Sequence, residues 1–353
     1  MKRRTFLQQS IIATAAWGIP LPRMNSSLGV ALVGLGYYSR DLLAPALQLT
    51  KNCHLQGIVT GSPEKIPIWQ NKYKIKDKHV YNYENMHQLS NDDGIDVVYI
   101  VLPTGLHAEY AIKAAEAGKH VWCEKPMART AAECQKIIDA CKKNGVKLSI
   151  GYRMQHETNT RMIMKWAYEK PFGAIKTITA EAGYYESRKD HWKMKKAMGG
   201  GAMYDMGVYP LNAARYAAGE EPIAVTASHS TKRPQVFTEV DETTEFMLEF
   251  PSGAVARGKT SFGEGMNLLN IECRRGSYYL EPFQAYSGVK GEASNGIILR
   301  AMKRNQQAVQ MDDDAMAIIQ DKPVLVPGEE GMKDIAIVEA IYQSAAIGER
   351  VEL

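Results

Sequence analysis

Residues 30–39 read VALVGLGYYS. An apolar run meets two glycines one residue apart, and a serine follows three positions later: Gly34-Leu35-Gly36-Tyr37-Tyr38-Ser39. A continuous apolar run describes a strand buried on both faces rather than one with a wet side. The glycines permit a tight turn and let main-chain N–H groups around Leu35, Tyr37 and Tyr38 approach a pyrophosphate, where a following helix adds partial positive charge. The next stretch, SRDLLAPALQLT, has helical spacing, so the turn stands where a dinucleotide-binding turn must stand, between strand and helix.

Working outward, HLQGIVTG, DVVYIVLP, KHVWCEKP and VKLSIGY read as further strands, and EYAIKAAEAG and TAAECQKIIDACKKNG as helices stopped by Gly118 and Gly145. Strands alternating with helices predict a parallel, doubly wound Rossmann sheet over residues 25–150. After residue 170 the texture changes to alternating apolar and polar positions, as in IKTITAEAGYY, TTEFMLEF and AVARGKTSF. Residues 151–353 are therefore expected to form an α+β domain with an open, mostly antiparallel sheet, closed by a last helix in MKDIAIVEAIYQSAAIG.

The tip of the second strand bears on the nucleotide. An enzyme that takes NAD places a carboxylate there for the ribose hydroxyls. This chain has Thr60, Gly61 and Ser62, with Lys65 a few residues on. Hydroxyls and a lysine accommodate a 2′-phosphate that a carboxylate would repel, so NADP is the expected cofactor; Glu64 in the same loop keeps NAD open.

The chain has 353 residues, 45% hydrophobic, and a net charge of +4. Lys2, Arg3, Arg4 and Arg23 supply the excess, and the remainder is balanced, so no nucleic-acid partner is implied. Residues 1–24 have a charged start, a moderately apolar stretch and Arg3-Arg4-Thr5-Phe6-Leu7, the shape of a twin-arginine export signal, which predicts a periplasmic destination. No run approaches eighteen apolar residues, so stable membrane association is not expected. The five cysteines show neither zinc spacing nor a disulfide framework, and no metal is expected.

Two segments carry the chemistry. WCEKPMA sets Glu124 and Lys125 at a strand's C-terminal end, where doubly wound folds place ligands. GGGAMYDMGVYPLNAARY sets Asp205 and Tyr209 four apart on one helical face.

With VLPTGLHAEYAIKAAEAGKHVWCEKPMA, IGYRMQHETNTR and HWKMKKAMGGGAMYDMGVYPLNAARYAAGEEPI, these segments resemble the Gfo/Idh/MocA family of glucose–fructose oxidoreductase, inositol dehydrogenase and their relatives, from residue 29 to the end. Many relatives carry histidine where Tyr209 stands; tyrosine here, with Asn212 and Arg215-Tyr216, resembles the glucose–fructose branch. The resemblance implies a sugar substrate whose C1 gives up a hydride to bound NADP, leaving a lactone, with return to a second sugar giving an alditol. It implies Tyr209 as the base, Lys125 as the cation that favours its phenolate, and Asp205 as the residue that holds the sugar or orients Lys125. It also implies a cofactor lining of Leu102, Pro103, Thr104, Leu106, His107, Glu124 and Lys125, walls at Arg153 and Trp192 that also meet the cofactor, and a homodimer or homotetramer. An ordinary sugar or inositol dehydrogenase, a glycosidase using bound NAD and a non-catalytic binding protein remain the alternatives at this stage.

Overall fold

The computed structural model describes residues 27–353, so the expected leader lies outside the described residues. The first sheet has six parallel strands in the order β3-β2-β1-β4-β5-β6. These are β1 Leu28–Val33, β2 Cys53–Val59, β3 Val80–Tyr81, β4 Val97–Ile100, β5 His120–Cys123 and β6 Leu148–Ile150. Strand order reverses beside β1, so the crevice at the C-terminal ends of β1 and β4 is the switch point where such sheets take ligands. Every residue of β1 and β4 is buried, as their unbroken apolar character requires.

The helix expected after the glycine turn is present over residues 37–46, with one wide turn inside it. Ser39–Leu43 forms its wide turn, of π type, in which the Ala44 N–H reaches Ser39 O, with helical residues 37–38 before it and Ala44–Ala46 after it. Pro45 lacks the N–H that a regular helix would use.

The second sheet has nine strands: β7 Ile175–Gly183, β8 Ala224–Ser230, β9 Thr243–Glu249, β10 Val255–Ser261, β11 Met266–Cys273, β12 Gly276–Leu280, β13 Gly291–Ala293, β14 Ile298–Leu299 and β15 Val351–Glu352. All pairs are antiparallel except β7 with β10. One face lies under the helices Val208–Ala218 and Gly328–Ile347. The alternating Phe246, Leu248 and Phe250 face inward and are buried in this core. Alternating with them, Glu245, Met247 and Glu249 stay on the open face.

The two sheets are joined by more than their linker. The helix Gln306–Ile319, which the sequence pattern did not single out, returns to the first domain, where Met311 and Ala315 pack with Leu28, Val30 and Trp122. Asp312 Oδ1 accepts from the N–H groups of Lys51 and Asn52, both at 2.8 Å. At the sheet's edge Ile150 N–H donates to Val326 O at 2.9 Å.

Candidate active site

Gly34 closes β1 with φ +90°, and a Cβ there would lie 2.4 Å from Val101 O and 2.7 Å from Leu102 Cδ2. Only glycine fits that backbone and that approach. Gly36 is the opposite case: a Cβ on it meets nothing within 4 Å, so the turn has open space where a pyrophosphate would come against main-chain N–H groups. Leu35 is buried behind the turn, while Tyr37 is exposed.

At the tip of β2 the Thr60 hydroxyl accepts from Ser62 N–H at 3.1 Å, and Gly61 lies so close to the Tyr83 ring that a Cβ would stand 2.9 Å from it. Lys65 Nζ reaches the Leu35 carbonyl at 3.4 Å, which brings its charge beside the glycine turn. The expected residues of the nucleotide end are thus gathered along one crevice, and the donor set fits a dinucleotide.

On the other side, Leu102, Pro103, Thr104 and Leu106 form the turn and first helical residues after β4. A Cβ on Gly199 would stand 2.8 Å from Thr104 Cβ, so the glycine triplet lets the second domain close onto this turn. His107 is fully buried, and its ring nitrogens lie 2.8 Å from Leu102 O and 2.9 Å from Pro126 O. It packs behind the two ligand-facing turns, and burial holds its pKa below the ordinary histidine value, so its single ring N–H serves one of the two carbonyls.

The chemical end assembles around Lys125. Its ammonium sits 4.3 Å from the centroid of the Tyr209 ring and donates to the main-chain carbonyl of Asp205 at 2.8 Å. A partly buried cation over an aromatic face is worth on the order of 1 kcal/mol, and the charged hydrogen bond to the carbonyl adds to the fixing. Asp205 belongs to a second wide turn, Met203–Gly207, which leads into the helix Val208–Ala218 that carries Tyr209. The simple stacking of Asp205 above Tyr209 on one regular helix is therefore modified, and wide turns of this kind recur at functional sites.

The Asp205 carboxylate is held by Lys193, at 2.6 Å, and by the Tyr184 hydroxyl, at 3.0 Å. Burial works against this carboxylate, but the charges of Lys193 and Lys125 outweigh it and hold its pKa below the ordinary value. Tyr184, at the end of β7, carried no sequence signal beyond a place in a tyrosine pair. Trp192 is half-buried beside it, with the Lys193 ammonium 6.0 Å from its ring.

Glu124 lies behind Lys125. Its Oε1 accepts from the Tyr99 hydroxyl at 2.6 Å, and a Cβ on Gly151 would stand 2.7 Å from that oxygen, so the carboxyl is packed without slack. Burial pushes its pKa up to about 7, against the opposing pull of the Tyr99 hydrogen bond and the Lys125 charge. Arg153 is buried, donates to Gln306 Oε1 at 2.6 Å and to Ala285 O at 3.0 Å, and lies 5.6 Å from the Tyr209 ring centroid.

A glycine turn at a sheet's switch point, with a lysine and a tyrosine brought to the same crevice, defines a nucleotide-dependent oxidoreductase. Residues 28–152 match the family described as "Oxidoreductase family, NAD-binding Rossmann fold", and residues 160–279 match the GFO/IDH/MocA C-terminal domain. The crystal structure of aldose-aldose oxidoreductase from Caulobacter crescentus, complexed with glycerol, is 35% identical, with a TM-score of 0.90 over 93% of this chain and 100% of that one. The D-xylose 1-dehydrogenase [NADP(+)] of Haloarcula marismortui is 25% identical, over 92% of each chain. A levoglucosan dehydrogenase complexed with NADH and levoglucosan shares the fold, with a TM-score of 0.78 at 23% identity over 92% of this chain and 99% of that one. The chain belongs to the GFO/IDH/MocA oxidoreductase family. It is an NAD(P)-dependent oxidoreductase, and these relatives act on sugars.

Proposed function

We propose that this protein moves a hydride between the C1 of an aldose and a resident NADP, and returns it to a second sugar. The aldose loses a hydride and its hydroxyl proton to become a lactone; the acceptor gains both to become an alditol. The observation that carries this reading is the Lys125 ammonium lodged between the Tyr209 ring and the Asp205 carbonyl at the crevice.

NADP supplies the hydride acceptor and, once reduced, the hydride donor. Gly34, Leu35, Gly36, Tyr37 and Tyr38 would hold its pyrophosphate region, and Thr60, Gly61, Ser62 and Lys65 its 2′-phosphate. The absence of a carboxylate at the tip of β2 supports NADP. Tyr209 takes the C1 hydroxyl proton in one half-reaction and gives it to the acceptor in the other. A hydroxyl proton has to leave as the hydride does, so the base must touch it. Lys125 stabilises the negative charge that develops on the phenol oxygen. Asp205 accepts sugar hydroxyls, its position set by Lys193 and Tyr184.

An enzyme that recycles its own nicotinamide needs no free nucleotide. That accords with the twin-arginine character of residues 1–24, since this route carries folded proteins with cofactor already in place, and with a periplasmic site of action. The open face of the second sheet is the surface we assign to homodimer or homotetramer formation.

The test is to incubate the purified protein with paired sugars and no added cofactor, and to identify the products. A lactone and an alditol in equal amounts are expected, with NADP released when the protein is denatured. Steady reduction of added NADP by a single sugar, with no bound nucleotide, would instead make it an ordinary dehydrogenase, as the xylose-acting relative is named.

A further inference from the structure

The chain between β12 and β13, residues 281–290, is a loop held unusually firmly. Glu281 N–H donates to Lys290 O at 2.8 Å and closes its base. Asn267 Oδ1 accepts from Phe283 N–H and Gln284 N–H, both at 2.9 Å, and its Nδ2 donates to Gln284 O at 3.0 Å. Asn159 Nδ2 donates to Val289 O at 2.8 Å, and Arg153 Nη1 to Ala285 O at 3.0 Å. Phe283 and Val289 are buried beneath it. Surface loops are ordinarily the mobile parts of a fold, and this one is not built to move.

At its tip the Tyr286 side chain is left 42% exposed. One neighbour is the Arg153 guanidinium, 4.8 Å from the ring centroid, and another is the Tyr38 ring, with centroids 5.9 Å apart. Tyr38 comes two residues after Gly36, in the nucleotide turn, and Arg153 also lies 5.6 Å from the Tyr209 ring. Tyr286 therefore reaches from the second domain to a point between the phosphate turn and the reacting end of the crevice. A large aromatic ring carried on an anchored loop, with this much of its surface uncovered, has apolar area still to bury. Because the loop that carries it is already held, covering the ring costs little further ordering of the chain.

We propose that Tyr286 is a cofactor-retaining residue: its ring, braced by Arg153, covers the dinucleotide bound at Gly34–Tyr38 and slows its release. This rests on the assignment of NAD(P) to that crevice. A fixed aromatic wall from the opposite domain supplies what a resident cofactor needs, a barrier to escape that does not depend on further chain wrapping the site.

The experiment compares the unaltered chain with Y286A, Y286L and Y286F. NADPH affinity and release rate are read from nucleotide fluorescence, and nucleotide content from protein denatured after gel filtration. Y286A and Y286L are expected to bind NADPH about tenfold more weakly, through faster release, and to purify with less nucleotide. Y286F keeps the ring and is expected to match the unaltered chain. Y286L maintains apolar bulk in the loop and so stands in should Y286A fail to fold. Equal affinity and release in Y286L and the unaltered chain would overturn the role of Tyr286 alone. Failure of the unaltered chain to bind NADPH or NADH would overturn both this role and the crevice assignment.

Discussion

The Asp205 carboxylate pairs directly with Lys193, at 2.6 Å, while Lys125 takes the main-chain carbonyl of the same residue, at 2.8 Å. One residue thus separates two ammonium groups by function. Were the carboxylate to pair with Lys125, much of that lysine's field at Tyr209 would be cancelled. Lys193→Met should release the carboxylate toward Lys125 and lower the rate of cofactor reduction by sugar by about 10–100-fold, with Lys193→Arg recovering most of it. Single-turnover absorbance at saturating sugar is the measurement, and an unchanged rate in Lys193→Met would remove Lys193 from the account.

Lys125→Ala and Tyr209→Phe test the centre itself. General acid–base catalysis contributes about 10²–10⁴-fold, and each substitution should lose a factor of that order. Nucleotide content should stay near that of the unaltered chain, because neither side chain is assigned to the phosphate turn. Near-normal turnover in both variants would refute the assignment.

Gly34 and Gly36 should respond differently to the same methyl group. Gly34→Ala forces an alanine to φ +90° with its Cβ 2.4 Å from Val101 O, so the folded chain should lose several degrees of melting temperature. Gly36→Ala meets nothing within 4 Å, so the empty protein should melt normally and yet bind NADP far more weakly. A melting scan and a nucleotide titration on both variants separate the two roles.

Glu124 gives a pH signature. Its folded pKa of about 7 lies above the ordinary glutamate value of 4.5, so between those values the folded state binds a proton that the unfolded state has lost. Stability from this group is accordingly full below about pH 4.5 and declines as pH rises through 7, by about 3 kcal/mol in all. Denaturant unfolding of the nucleotide-free protein at pH 5 and pH 8 should show a smaller decline in Glu124→Gln than in the unaltered chain. Parallel pH profiles would show that burial does not hold this carboxyl neutral.

Much of the fold was legible because its signals are local. A continuous apolar strand, two glycines and a helical stop each report on hydrogen bonds within a few residues, and β1, β4 and the turn at Gly34 follow from them. The wide turns inside two of the helices did not follow as directly. Apolar spacing in SRDLLAPALQLT was read as regular, but Pro45 removes a donor and the turn at Ser39–Leu43 widens. The leader and its export route lie outside the described residues.

By itself the sequence determined the parallel sheet and the alternating second sheet, since period and turn chemistry are written residue by residue, while a common site for Lys125, Asp205 and Tyr209 was implied by the family resemblance. Only the tertiary structure decided that Lys193 claims Asp205, that Gln306–Ile319 crosses back to the first sheet, and that Tyr286 faces Tyr38. Lys193 is 12 residues from Asp205, and Tyr286 is 248 from Tyr38. Which charge neutralises which, and which ring meets which, depends on how two sheets close upon each other, and no local pattern carries that distance.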